Sequence, residues 1–141
     1  MELEKKKYRK IQKLSKKGNK MMDKLQFNEA LYYFNEALSL IPESKKDWEA
    51  STWLYVAIGD AFFFLNDFEK SKNYYFNALN CPDGTSNPYI YLRLGESQYE
   101  LNEKENSLEN LLKAYMIEGE LIFEDSEQKY LEFLKENMDL K

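Results

Sequence analysis

The chain has 141 residues, 43% hydrophobic and 16% aromatic, enough apolar mass for one soluble packed domain. Twenty basic and 25 acidic residues with no histidine leave a net charge of −5, and the absence of imidazole removes the commonest general base and the commonest metal ligand. No apolar run reaches the ~18 residues needed to span a bilayer, because Gly59 and Asp60 interrupt the longest, Trp53 to Leu65. The lone Cys81 rules out an internal disulfide, which points to a reducing, cytoplasmic setting.

Hydrophobic periodicity predicts about seven helices. The opening MELEKKKYRK has charge but no apolar segment after it, so it is not expected to be a secretory signal. Leu3, Ile11, Leu14, Met21, Met22 and Leu25 recur at helical spacing, so the first helix is expected to start near residue 3 and to run long. Asn28 is a candidate cap for the second helix, whose inner face is Ala30, Leu31, Phe34, Ala37, Leu38 and Ile41, and Pro42 stops it. Ser44 followed by Asp47 reads as a capping box that opens a third helix near Lys45. Asp67 caps the fourth helix, which carries Phe68, Ser71, Tyr75, Ala78 and Leu79. CPDGTSNP, Cys81 to Pro88, is the clearest loop, and Asn87 with Pro88 opens the fifth helix. Asn102 or Glu103 starts the sixth, with Leu108, Leu111, Leu112, Ala114 and Tyr115 inward. Ser126 starts a last helix bearing Tyr130, Leu131, Phe133, Leu134 and Met138.

Superimposed on these elements is a repeat. Gly18, Gly59 and Gly95 are each followed twelve positions later by a small residue, Ala30, Ser71 or Ser107, and nineteen positions later by an alanine, Ala37, Ala78 or Ala114. Small residues at fixed offsets in helix-period sequence are what two closely crossing antiparallel helices need. The frame extends through Leu14, Met21, Phe27 and Phe34; through Tyr55, Ile58, Phe62, Phe68 and Tyr75; and through Tyr91, Leu94 and Leu111, with Pro42 and Pro82 after the first two units.

This pattern resembles the tetratricopeptide repeat, W-x2-L-G-x2-Y followed by A-x3-F and a later Pro. Departures are Lys17 where the motif has Leu, Gln98 where it has an aromatic, and Gly119 where a third Pro is expected. The glycines are 41 and 36 positions apart, against a usual period of about 34. The surplus is expected to lengthen helices or loops, at the first junction as extra turns of the third helix. The resemblance implies a single all-α domain over 1–141, a right-handed helical repeat superhelix. Its repeats fall at about 11–44, 52–85 and 88–121, and a capping helix at about 126–138 covers the last repeat.

Charge is uneven. Residues 1–24 hold ten Lys and Arg against three acidic residues, a net of +7, and the rest holds ten basic and 22 acidic residues, a net of −12. The lysines of the first helix are read as spread around it, the pattern of a solvated outer helix that pairs with the acidic remainder. No nucleic acid or membrane partner is expected. Catalysis has no support: Cys81 lacks a partner base, Gly84 is a turn glycine, and no phosphate loop, metal cluster or cofactor motif is present.

What remains is a binding surface. In the family that the chain resembles, the first helix of each pair lines a concave groove. Carried over, the wall comprises Gln12, Ser15, Asn19, Met22 and Asp23; Trp53, Val56, Asp60, Phe63 and Phe64; and Tyr89, Leu92, Arg93, Glu96, Tyr99 and Glu100. Such a wall is aromatic and acidic and suits a protein or peptide partner with a basic surface. Trp53, Phe63 and Tyr99 could equally be core. The resemblance also implies a test for chaperone-tail capture, which uses Lys, Asn, Asn, Lys and Arg at positions held here by Ser15, Asn19, Ala57, Tyr89 and Arg93. Only Asn19 and Arg93 match, so that mode is not expected. The stretch from Ala114 to Lys135 resembles a segment of small bacterial repeat proteins encoded beside polymorphic or contact-dependent toxins and presumed to act as immunity partners. That resemblance implies a non-enzymatic toxin-neutralising role; a translocator-type secretion chaperone and a general scaffold are the alternatives.

Overall fold

The computed structural model describes residues 3–140, which form seven α-helices: α1 (Lys5–Asp23), α2 (Phe27–Ser39), α3 (Glu49–Phe64), α4 (Phe68–Leu79), α5 (Pro88–Glu100), α6 (Lys104–Glu118) and α7 (Gln128–Asn137). Short 3-10 turns at Lys45–Asp47, Gly84–Ser86 and Glu120–Phe123 join the pairs to one another and to α7. Helices pack as α1 on α2, α3 on α4 and α5 on α6. α2 stacks on α3, α4 on α5, and α7 closes the last pair.

The glycines set the spacing within each pair. A Cβ on Gly59 would lie 2.7 Å from the ring of Tyr75, one on Gly95 2.8 Å from Leu111, and one on Gly18 would overlap Phe34. Each first helix is therefore hollowed where its partner's bulky residue enters. Ala30, Ala37, Ser71, Ala78, Ser107 and Ala114 are all fully buried at the crossings. Ser107 donates to the Gly95 carbonyl at 2.7 Å, Ser71 to the Phe68 carbonyl at 3.1 Å, and Ser71 also shares a 2.8 Å hydroxyl–hydroxyl bond with Ser97.

Each pair turns through the same backbone device. Leu25, Asn66 and Asn102 adopt left-handed conformations at φ 60°, 63° and 64°. The amides of Gln26, Asp67 and Glu103 then bond back to the carbonyls of Met21, Phe62 and Gln98, and the preceding amides bond to Met22, Phe63 and Tyr99. This is a Schellman turn in all three repeats, which satisfies carbonyls that the ending helix leaves free.

Capping follows the sequence only in part. Asp67 accepts from the Lys70 amide at 3.2 Å and Asn87 from the Tyr89 amide at 3.0 Å. Asn28 lies inside α2, which starts at Phe27 without a side-chain cap. Ser44 forms no capping bond either: the Lys45–Asp47 turn ends at an extended Trp48, so α3 begins at Glu49. The first junction is five residues longer than the second, 41 against 36 between glycines, and three of the five lengthen α3, which has 16 residues against 13 in α5. One more lies in α2 and one in the connection, so the surplus is taken up mainly as helix although α3 starts at Glu49 and not near Lys45. Ser126 also lies outside its helix, and its hydroxyl is used elsewhere.

Candidate binding groove

The first helices α1, α3 and α5 bring the expected wall residues to one side of the stack, in quite different states. On α1, Asn19 and Asp23 are exposed, as is Gln12, whereas Ser15 is buried and donates to the Ile11 carbonyl. On α3, Trp53 is exposed, at 36% of its surface, and Phe64 is exposed and stacks on Phe27 at 5.6 Å. Phe63 is buried and belongs to the core with Leu92 and Leu111. On α5, Arg93 and Glu96 are buried, and Tyr89, Tyr99 and Glu100 are half-buried.

The central carboxylates are engaged internally. Asp60 accepts from the Tyr75 hydroxyl at 2.5 Å and from the Tyr89 hydroxyl at 2.9 Å. The Tyr89 oxygen in turn accepts from Arg93 Nε at 2.9 Å, and Arg93 Nη1 donates to Glu96 Oε1 at 2.9 Å. Ser126 Oγ closes the chain on Glu96 Oε2 at 2.5 Å. Arg93 also lies over the rings of Phe63, Tyr89 and Phe64, at 4.8, 5.3 and 5.4 Å. This network ties α3, α4, α5 and the approach to α7 into one polar seam through an otherwise apolar interior.

Burial pushes the Glu96 carboxyl above the ordinary range, against the pull of Arg93 and Ser126, and raises Asp60 against its tyrosine donors and Arg93. Burial disfavours the Arg93 charge, but Tyr89 and Glu96 outweigh it and hold the guanidinium pKa above its usual value. Desolvation and the Asp60 charge raise both Tyr75 and Tyr89. Glu100 is likewise occupied: it accepts from Lys129 and from the Tyr130 hydroxyl, each at 2.7 Å. Tyr99 packs edge-on against Tyr130 and Phe133, with Lys104 Nζ 3.5 Å from its ring centre.

The expectation of an acidic, aromatic wall is thus corrected at its centre. Glu96, Phe63 and Arg93 are inside, and Asp60 and Glu100 already hold partners, because an array this short leaves its last repeat to be closed by α7. Open groove remains at the amino-terminal end. There Tyr8, Gln12, Lys13, Ser15, Lys16, Asn19 and Trp53 line a cleft of about 680 Å³ between α1 and α3. Its flanks are basic, since Lys13 and Lys16 are exposed and form no ion pair among the described residues. The sequence reading missed Tyr75, Ser126, Lys129 and Tyr130. One signal was available: the position of Tyr75 is Phe34 and Leu111 in the other repeats, so its hydroxyl needs a buried partner.

Among the described residues no group of three or more His, Cys, Asp or Glu could hold a metal ion, and no helix is long and apolar enough to cross a membrane.

Comparison with known proteins agrees with this architecture. The tetratricopeptide repeat family matches residues 54–80, which span most of α3 and all of α4. Among solved structures, the Arabidopsis OM64 TPR domain is 18% identical with a TM-score of 0.75, covering 94% of this chain and 99% of that one. The first TPR of Spaghetti (RPAP3), bound to the HSP90 peptide SRMEEVD, is 17% identical with a TM-score of 0.71, covering 91% and 90%. MamA is 18% identical with a TM-score of 0.66, covering 89% and 74%. No curated protein matches the sequence. At these identities the likeness establishes the fold: an all-helical tetratricopeptide-type repeat.

Proposed function

We propose that this tetratricopeptide-fold chain is a non-enzymatic protein-interaction module that holds a segment of another polypeptide in the amino-terminal half of its groove. The observation that carries this reading is the open cleft around Trp53. An exposed indole beside Tyr8 supplies apolar area at low entropic cost, Gln12 and Asn19 offer amides to a peptide backbone, and Lys13 and Lys16 favour acidic side chains. The RPAP3 domain of the same fold is bound to a peptide containing Glu-Glu-Val-Asp, which supports an acidic segment as occupant of such a groove. Chaperone-tail capture in that form is not proposed, since Ser15 and Arg93 are committed within this chain.

The finer role, neutralisation of a toxin by a cytoplasmic immunity protein, rests on the resemblance of Ala114–Lys135. That segment here forms the end of α6, a 3-10 turn and most of α7. With Asp60, Glu96 and Glu100 engaged, a basic toxin would have to be recognised outside the centre of the groove, so charge no longer favours this role over the secretion-chaperone or scaffold readings.

An aromatic photo-crosslinking residue in place of Tyr8, which keeps Trp53, tests the binding proposal, with position 36 on the exposed side of α2 as control. Crosslinks to a polypeptide from position 8, reduced at least tenfold by Asn19→Ala with Lys16→Ala, are the expected result. Crosslinks from position 36 alone would move the interface off the groove.

A further inference from the structure

Both ends of the stack carry charge that forms no ion pair among the described residues. At 100° per residue, Lys16, Arg9, Lys20, Lys13, Lys17 and Lys10 follow one another around roughly a third of α1, away from the buried Ile11 and Gly18. These cations form one continuous face and are not spread around the helix as the sequence reading had it. All six are exposed, and none forms an ion pair among the described residues, so these cations do not pair with the described acidic residues of their own chain; Lys17 lies 5.9 Å over the Tyr33 ring.

At the opposite end, Glu118, Glu124, Asp125, Glu132 and Glu136 are exposed with no cation within ion-pair distance among the described residues. Glu124 and Glu132 line, with Leu131 and Leu121, an open cleft of about 660 Å³ between the Glu120–Phe123 turn and α7, and Leu121 is 69% exposed. Lys135 and Lys129 of α7 are already paired, with Glu120 and with Glu100 and Glu127 respectively.

We propose that this protein associates head to tail with a second copy, the basic face of α1 in one copy docking on the acidic cap around α7 of the next. Three observations converge on that occupant. The two faces have opposite sign, each belongs to a terminal element stacked on one side only, and five helices, α2 to α6, lie between them in the stack, so they do not meet within one chain. The contact joins two different surfaces, so it builds a closed ring or an open chain according to the rotation between copies. The binding it predicts is steeply salt-dependent, because the charges are exposed and screened over about 8–10 Å at moderate ionic strength. The face shares Lys13 and Lys16 with the cleft at Trp53, but Arg9, Lys10 and Lys20 do not line that cleft, so variants of those three separate this proposal from the groove proposal.

Sedimentation velocity over a concentration series, at about 0.02 M and about 0.5 M salt, tests it. The parent should form concentration-dependent oligomers at low salt that dissociate at high salt. Arg9→Glu with Lys10→Glu and Lys20→Glu should be monomeric, with a melting temperature near the parent's, and so should Glu124→Lys with Glu132→Lys and Glu136→Lys. Mixing the two variants should restore association into dimers, because the intact acidic cap of the first then meets the intact basic face of the second. Asn19→Ala with Lys16→Ala should still associate. A parent that stays monomeric at low salt overturns the proposal. So do variants that oligomerise like the parent, or mixtures that remain monomeric. A monomeric parent that instead binds phosphatidylserine vesicles or duplex DNA would assign the basic face to that partner.

Discussion

Replacing Arg93 by Met removes the cation at the middle of the buried polar seam while keeping most of the apolar stem over Phe63 and Phe64. The Tyr89 hydroxyl loses its donor, and Glu96, 0% exposed, keeps Ser126 as its one remaining hydrogen-bond donor. Breaking a buried pair by deleting one partner costs about 3–5 kcal/mol. With an unfolding entropy of roughly 2.1 cal/mol/K per residue over 141 residues, that is a fall of about 10–17 °C in melting temperature. The cost depends on pH in a definite direction. Glu96 already titrates above an ordinary carboxyl because of burial, and losing Arg93 raises it further. The native state then holds a proton that the unfolded chain releases, so stability falls as pH rises from the unfolded value through the raised one. Thermal melts followed by circular dichroism should show the variant much weaker near pH 8 than near pH 5. The double variant with Glu96→Gln, which removes the stranded charge and leaves Ser126 an acceptor, should recover at least half of the loss near pH 8. An Arg93→Met protein that melts with the parent, or a double variant no better than the single one at high pH, would refute the account of the seam.

Two further outcomes follow from the backbone and the packing. Leu25 holds φ 60° with its side chain 73% exposed, where the other two turns place Asn, so Leu25→Asn should raise stability by about 0.5–1 kcal/mol; a lower melting temperature would mean that Leu25 makes a contact that outweighs its strain. Gly59→Ala should cost about 1–3 kcal/mol, since its Cβ would press on Tyr75 and displace the hydroxyl from Asp60; unchanged chemical denaturation would show that α3 and α4 can separate freely.

The sequence by itself determined the helices, their pairing and the register of the three repeats. Gly18, Gly59 and Gly95 with their small followers are local signals, because close crossing restricts residue size at fixed helical offsets whatever lies around them. Asp67 and Asn87 were legible for the same reason, since a cap acts within three residues of itself. Ser44 and Ser126 carry the same local signal and behave otherwise. Trp48 in extended backbone breaks the turn after Ser44, and Ser126 gives its hydroxyl to a glutamate thirty positions earlier. Which of the predicted wall residues face solvent was decided only by tertiary structure. Asp60, Arg93 and Glu96 read as groove charges because helix register places them on that side. They become a buried seam because Tyr75 from α4, Tyr89 from α5 and Ser126 before α7 reach the same point in space. Burial and hydrogen bonding depend on which distant segments converge, and a single chain's spacing records the direction of a side chain but not what meets it there.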